Sequence, residues 1–308
     1  MANWRIADES FLAAHPTKRW VHDRLVELLD SETAAPAFSP VVTKLIRMMG
    51  DEATALDDIA IVVALDPGLS ARCLRSANCA ANGAKTMSTI GDALFLIGLR
   101  EMRGIALTVG VVDNFNHLRI KVNWRKFWLH SVLVARLTDK IAGAFREASG
   151  MEYLAALLHD IGKLVLEHFF PREFESVLLR AMERRSGHAA AEFNLLGFDH
   201  TAIGAALCAR LNLHPHIIHA VRFHHQPLHP AHANDPAGDG GFLAACISVA
   251  DYLANLRDIN IGGCAELAGT LDELEEWKFL TTYFACRGLD LDLDEEINQT
   301  EREIGAIL

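Results

Sequence analysis

Apolar residues recur at three- and four-residue intervals along almost the whole of this chain, while the strict alternation of a half-buried strand is scarce. Glycine and proline fall between the periodic segments rather than within them. A chain patterned in this way buries its apolar stripes by packing helix on helix, so an all-α protein is predicted. Of the 308 residues 51% are hydrophobic and 22% charged, which supplies a packed core and argues against disorder. The length allows two modest domains or one large one with lobes.

The first helix is predicted over 20–30, followed by a connector at 34–40 and a helix carrying Val41, Leu45, Ile46 and Met49. Another helix covers 56–65. Asp66 then caps a helix that has Pro67 at its first position and runs towards Asn78. Thr89-Ile90-Gly91-Asp92 has the form of a capping box before 93–97, Gly98 breaks that helix, and 99–112 forms the next. From Trp124 onward, helices are predicted at about 125–146, 151–168, 172–196, 200–211, 214–225 and 241–257. The Pro- and Gly-rich stretch 229–241 reads as an exposed loop. Beyond Gly262-Gly263 the chain turns acidic, with Trp277, Phe279, Leu280, Tyr283 and Phe284 interleaved, which predicts helices packed on the body with one solvated face.

Charge and cysteine usage narrow the function classes. The 29 basic and 40 acidic residues give a net charge of −11, and no long Lys/Arg run interrupts it, so nucleic acid is not expected as a partner. The six cysteines are scattered without a C-x-x-C pair, as reduced thiols would be. The first nine residues lack the basic-then-apolar layout of a signal peptide. The longest apolar stretches, 104–112 and 242–250, are too short to cross a bilayer. A cytoplasmic protein is expected, with no membrane partner.

Against this apolar background stand His130, the pair His159-Asp160, His200, the pair His224-His225, and Asp251. Burying carboxylates and imidazoles is costly unless a cation or hydrogen bonds compensate, and a metal ion would do so. Read singly, His130 beside Phe127 and Leu133 fits a hydrogen-bonded core histidine, His200 could open a helix, and His224-His225 could cap carbonyls. Neighbours on a helix diverge by about 100°, so an adjacent pair serves one site only near a helix end, or else serves two metals. Lys163, one turn beyond Asp160, has two readings: contact with a phosphate oxygen or leaving group, and a salt bridge to Asp160. Pro215 places His214, His216 and His219 at a helix start, and they read as packing or surface residues.

With those residues laid out, the chain resembles the HDOD family, the HD-related output domain proteins of bacteria. The resemblance is carried by Asp66-Pro67-Gly68-Leu69-Ser70-Ala71-Arg72, Leu74-Arg75 and Asn78, by Ser88-Thr89-Ile90 with Ala93-Leu94, and by Leu96-Ile97-Gly98-Leu99. It continues in Leu157-Leu158-His159-Asp160-Ile161-Gly162-Lys163-Leu164, in Gly197-Phe198-Asp199-His200 with Ile203-Gly204-Ala205, and in His224-His225-Gln226-Pro227. It covers about 35–255 and departs at Cys79, where the family usually has serine. It implies a two-lobed helical bundle with an HD-like back lobe: an N-terminal extension at 1–34, a front lobe at 35–122, an HD-like lobe at 123–257 and an acidic helical tail at 258–308.

Members of this family are regarded mainly as regulatory modules and are relatives of the HD metal-dependent phosphohydrolases. By that relationship one metal would take His130, His159, Asp160 and Asp251, and a second would share Asp160 and add His200, His224 and His225. The implied cofactor is one or two divalent transition-metal ions, of iron, manganese, zinc or nickel. The Gly-Tyr-Pro loop of the HD-GYP cyclic di-GMP phosphodiesterases is replaced here by Gln226-Pro227-Leu228-His229-Pro230, so that activity is not expected. The first expectation is therefore a signalling protein with a protein partner and a retained metal site. The alternative is a phosphohydrolase on a nucleotide or other phosphorylated small molecule, with Asp160 and Lys163 as catalytic residues.

Overall fold

The computed structural model describes residues 9–30, 38–48, 56–80, 87–116, 118, 123–147, 150–228, 239–261 and 270–308. Among these residues the regular structure is entirely helical. Helices α1 (Glu9–Ala14) and α2 (Arg19–Asp30) open the chain; α3 (Pro40–Met48), α4 (Leu56–Ala64), α5 (Pro67–Ala80) and α6 (Ile90–Phe115) follow. Then come α7 (Trp124–Phe145), α8 (Met151–Leu158), α9 (Ile161–Phe169), α10 (Pro171–Arg184), α11 (His188–Leu196), α12 (His200–Arg210), α13 (Pro215–Phe223) and α14 (Asp239–Leu256). Two helices in the acidic tail, α15 (Glu275–Tyr283) and α16 (Leu293–Ile307), complete the order.

The start and stop signals act through hydrogen bonds. Asp66 Oδ1 accepts from the backbone N–H groups of Gly68 and Leu69 at 2.9 and 3.0 Å, so α5 begins where its first turn is capped. Thr89 Oγ1 accepts from Asp92 N at 3.0 Å at the start of α6. Gly98 breaks the helical geometry within α6 as expected: its φ of 81° and ψ of 169°, a conformation L side chains rarely adopt, separate a helix over 90–97 from a second over 99–115 that meets it at a kink. The acidic tail folds as helices with Leu280, Ile304 and Ile307 in the core. The cysteines at 73, 79, 208, 246 and 286 are free thiols. Of the expected loop at 229–241, residues 229–238 lie outside those described, and 239–241 instead begin α14. No helix among the described residues is long and apolar enough to cross a membrane.

Two predicted helices are each divided. The segment predicted over 151–168 breaks at His159-Asp160, where Asp160 (φ −99°, ψ 4°) turns the chain between α8 and α9. The segment predicted over 172–196 breaks after Arg184, because Arg185 adopts φ 48° and ψ 44°. The first break lies inside continuous apolar periodicity, whereas the second falls in the polar stretch 183–188, where Gly187 stands just before α11.

The buried apolar side chains form one continuous cluster from Val21 to Ile307, with Trp128, Phe127 and Phe115 among its largest members. Helix α7 is its axis, packing most extensively against α8 and α14, while α16 lies across α5 and α7. A charged seam runs through this junction. The buried Arg136 on α7 binds Glu296 on α16 at 3.0 Å and Glu101 on α6 at 2.5 Å, with Glu303 on α16 at 3.5 Å. Lys140 also pairs with Glu296.

Glu303 is buried and neither of its oxygens makes a hydrogen bond. Burial first, opposed by Arg136 and reinforced by Glu101 and Glu296, pushes its carboxyl up to about 7. An acid raised in the folded state favours folding below its unfolded pKa, and that advantage fades as pH rises through the folded value. Stability is therefore expected to fall between about pH 5 and 7 through this group, by about 3 kcal/mol from the size of the shift. Glu303→Gln should remove that slope and leave the variant more stable than the parent at pH 8, as read by urea denaturation at both pH values.

Candidate metal centre

Six elements place the seven side chains. His130 projects from the middle of α7, His159 and Asp160 occupy the break between α8 and α9, and His200 opens α12 behind its cap, Asp199. His224 and His225 lie just past the end of α13, and Asp251 sits on α14. Both adjacent pairs thus stand at helix ends, where neighbouring side chains need not diverge as they do within a helix. Asp160 and the rings of His130, His159, His200 and His224 are buried, Asp251 is half-buried, and His225 is exposed.

Asp160 is the centre. Its Oδ2 lies 3.7 Å from His130 Nε2 and 3.5 Å from His159 Nε2. Its Oδ1 lies 3.1 Å from His200 Nε2 and 3.9 Å from His224 Nε2. One carboxylate oxygen therefore serves each of two groups: His130, His159 and Asp160 on one side, and Asp160, His200, His224 and His225 on the other. Within each group one ligand atom per residue lies within 4.8 Å of all the others. Asp251 adjoins the first group through His130 Nε2 at 3.2 Å, and its Oδ1 is held by Asn255 Nδ2 at 2.7 Å.

The ring protons can be assigned from the partners. His130 Nδ1 faces Ile259 O at 2.7 Å, His159 Nδ1 faces Ala156 O at 2.6 Å, and His224 Nδ1 faces Val221 O at 2.9 Å. A carbonyl only accepts, so each Nδ1 carries its hydrogen and each ring turns its Nε2 inward. His200 Nδ1 is held by Glu192 Oε2 at 2.6 Å, and the same oxygen accepts from the His200 backbone N–H at 2.7 Å. Histidines that bind metal are oriented in this way, through the nitrogen remote from the ion.

The inward Nε2 atoms then approach one another in pairs. His130 and His159 Nε2 are 3.3 Å apart, and His200 and His225 Nε2 are 3.2 Å apart. Two nitrogens each about 2.1 Å from one ion stand roughly 3.0 Å apart in an octahedron and roughly 3.4 Å apart in a tetrahedron. The observed separations fall in that interval. His224 Nε2 and Asp160 Oδ1 have no hydrogen bond, although both are buried. A cation lying between the rings would satisfy these atoms together, and the donor set of imidazole and carboxylate suits a divalent transition metal.

Electrostatics describe the same need. Burial pushes His159 down and His224 well down, so both rings are neutral. Burial also opposes a charge on His200, yet Glu192 and Asp160 push it up to about 9. Asp160 is held well below the usual carboxylate range: burial works against its charge, but Lys163, His159 and His200 outweigh it. Lys163 Nζ donates to Asp160 Oδ2 at 2.6 Å, so of its two sequence readings the structure displays the salt bridge. His214 accepts from His216 N at 3.3 Å as a helix cap and stands apart from both groups.

Glu192 and Asn255 escaped the sequence reading, since a lone acid eight residues before His200 and an amide four after Asp251 carry no motif. Gly162 has a geometric role. A Cβ there would meet His200 O at 2.0 Å, so α9 and α12 touch through backbone beside the cluster.

The sequence profile of the HDOD domain matches residues 35–227. Over 94% of this chain and 99% of its own, an HDOD domain protein of unknown function from Geobacter sulfurreducens is similar, with 25% identity and a TM-score of 0.75. A provisionally named phosphohydrolase from Shewanella amazonensis SB2B shares the fold at 22% identity and a TM-score of 0.63, covering 92% of this chain and 98% of that one. An uncharacterised protein of Treponema pallidum (strain Nichols) is 27% identical over 184 residues, which span 56% of this chain and 34% of that protein. The chain thus matches about a third of that relative's length.

Two substitutions test the architecture. Gly162→Ala is expected to destabilise the fold by roughly 2–4 kcal/mol in chemical denaturation, because two backbones must separate. Glu192→Gln retains the shape but not the charge behind His200. It is expected to weaken divalent-metal affinity about tenfold, read by competition with a chromogenic chelator, with little change in helical content.

Proposed function

The chain belongs to the HDOD family, and from that premise we propose that it is a signal-transducing regulatory protein retaining an HD-type site for one or two divalent transition-metal ions. The observation that carries this reading is the pairing of inward Nε2 atoms on either side of one buried carboxylate. His130, His159, Asp251 and Asp160 Oδ2 would hold one ion, and Asp160 Oδ1, His200, His224 and His225 the other. Glu192 and the carbonyls of Ile259, Ala156 and Val221 fix the rings, so the ligands are oriented before an ion arrives. Lys163 holds Asp160 in place, and its ammonium is spent on that carboxylate. Output is contact with a protein partner, and the ions tie α7, α9, α12, α13 and α14 into one arrangement.

The second reading, a phosphohydrolase acting on a phosphoester, is favoured by access. His225 is exposed and Asp251 half-buried, which leaves one side of the cluster open. Bound metal would supply a nucleophilic water of lowered pKa and polarise a phosphoryl oxygen.

Metal analysis of the purified full chain, combined with hydrolysis of bis(p-nitrophenyl) phosphate in added Mn²⁺ or Fe²⁺, separates the readings. Near-stoichiometric metal is expected, with a Tm lowered by EDTA and no turnover above that of Asp160→Ala. Turnover abolished by Asp160→Ala would establish the enzyme instead. Metal-free protein whose stability is indifferent to His200→Ala and His224→Ala would remove both.

A further inference from the structure

Beside the cluster lies a cavity of about 490 Å³, bounded by one side of α11, the start of α12 and the end of α13. Pockets of a few hundred Å³ fit a small organic molecule. His225 belongs to both the metal-facing group and the cavity wall, so an occupant would abut the cluster. On the same wall is Arg222, whose side chain is 41% exposed. Its polar contacts both run through Nη1, to Thr201 Oγ1 at 2.5 Å and to Asp199 Oδ1 at 3.5 Å. The Nε–Nη2 edge makes neither contact, and that edge presents two parallel N–H donors suited to two oxygens of one phosphate. Thr201 and Asp199 hold the guanidinium through Nη1 alone, and its central carbon lies over the Phe223 ring, 5.5 Å from the centroid, a contact with the face rather than the edge.

The rest of the wall selects what the phosphate is attached to. Phe193 is a large apolar side chain left 45% exposed, and it lines this cavity. Asn194 and Gln226 add amide donors and acceptors, while Gly187, Ala189 and Ala190 supply wall without bulk. An exposed ring with amides nearby suits a flat group whose edge hydrogen-bonds, as a nucleobase does.

We propose that this cavity binds a mononucleotide, with its phosphate on the free edge of Arg222 next to His225 and its base against Phe193. The inference deepens the metal-site reading and rests on it only through His225. It makes Arg222 and Phe193 the residues that select the ligand.

Isothermal titration of the full chain with AMP, inorganic phosphate and adenosine tests it, run with Mn²⁺ and again after EDTA, with metal content measured on the same samples. AMP is expected to bind more tightly than either fragment. Arg222→Lys keeps the charge but loses the fork, and should weaken AMP and phosphate about tenfold while leaving metal content unchanged. Phe193→Ala, at an exposed position, should weaken AMP about tenfold and phosphate not at all. AMP binding equal to that of phosphate, or unaffected by both substitutions, would overturn the proposal whatever the metal content. Metal-free protein that binds AMP in the expected pattern would sink the metal reading and leave the cavity assignment standing.

Discussion

Everything at the centre of this molecule answers to one buried negative charge. Asp160 is 3% exposed and stands where α8, α9, α12 and α13 converge. A carboxylate in that position must be surrounded by donors or cations. Lys163 supplies one cation at 2.6 Å, and four imidazoles stand around the remaining directions. The chain turns at this residue because a continuous helix would carry His159 and Asp160 to different faces. The break between α8 and α9 is thus the backbone's answer to an electrostatic demand, and it interrupts an apolar stripe that would otherwise run on.

Much of this was legible in the sequence because the relevant signals are local. Helical periodicity, the Asp66 and Thr89 caps and the glycine at 98 each fix structure within a few residues, and the helices from α2 to α7 begin and end close to where those signals put them. The side chains singled out as candidate ligands meet or adjoin Asp160 in space, and the family likeness, more than spacing, grouped them. Legibility failed at long range and in the backbone. Glu192 reaches His200 across a helix boundary, and Arg136 meets Glu296 at a separation of 160 residues. Arg185 takes a left-handed conformation without being glycine or asparagine, so no residue type announced the end of α10.

The acidic tail packs on the body as its interleaved aromatic residues predict, but not all of its acids lie on the solvated face: Glu296 and Glu303 are turned inward, 2% and 1% exposed, onto Arg136. Helix α16 thereby touches both α5 and α7, and Arg136 also engages Glu101 on α6. The profile match ends at residue 227, so this strap lies beyond it. A buried ion network is a weak source of net stability but strict about geometry, since removing one member strands the others. What it joins here are the facing sides of α6, α7 and α16.

At Gly162 the backbones of α9 and α12 meet with no room for a methyl group, since a Cβ there would lie 2.0 Å from the His200 carbonyl oxygen. Side chains adjust by rotating; two peptide planes pressed together do not. The gap between Asp160 and His200 is therefore gauged by main-chain contact, much as a machined shoulder sets the seating of a bearing. A disturbance that shifts α12 carries the imidazole with it as a rigid unit. Any slip of α12 along α9 would therefore change the spacing of Asp160 and His200 directly.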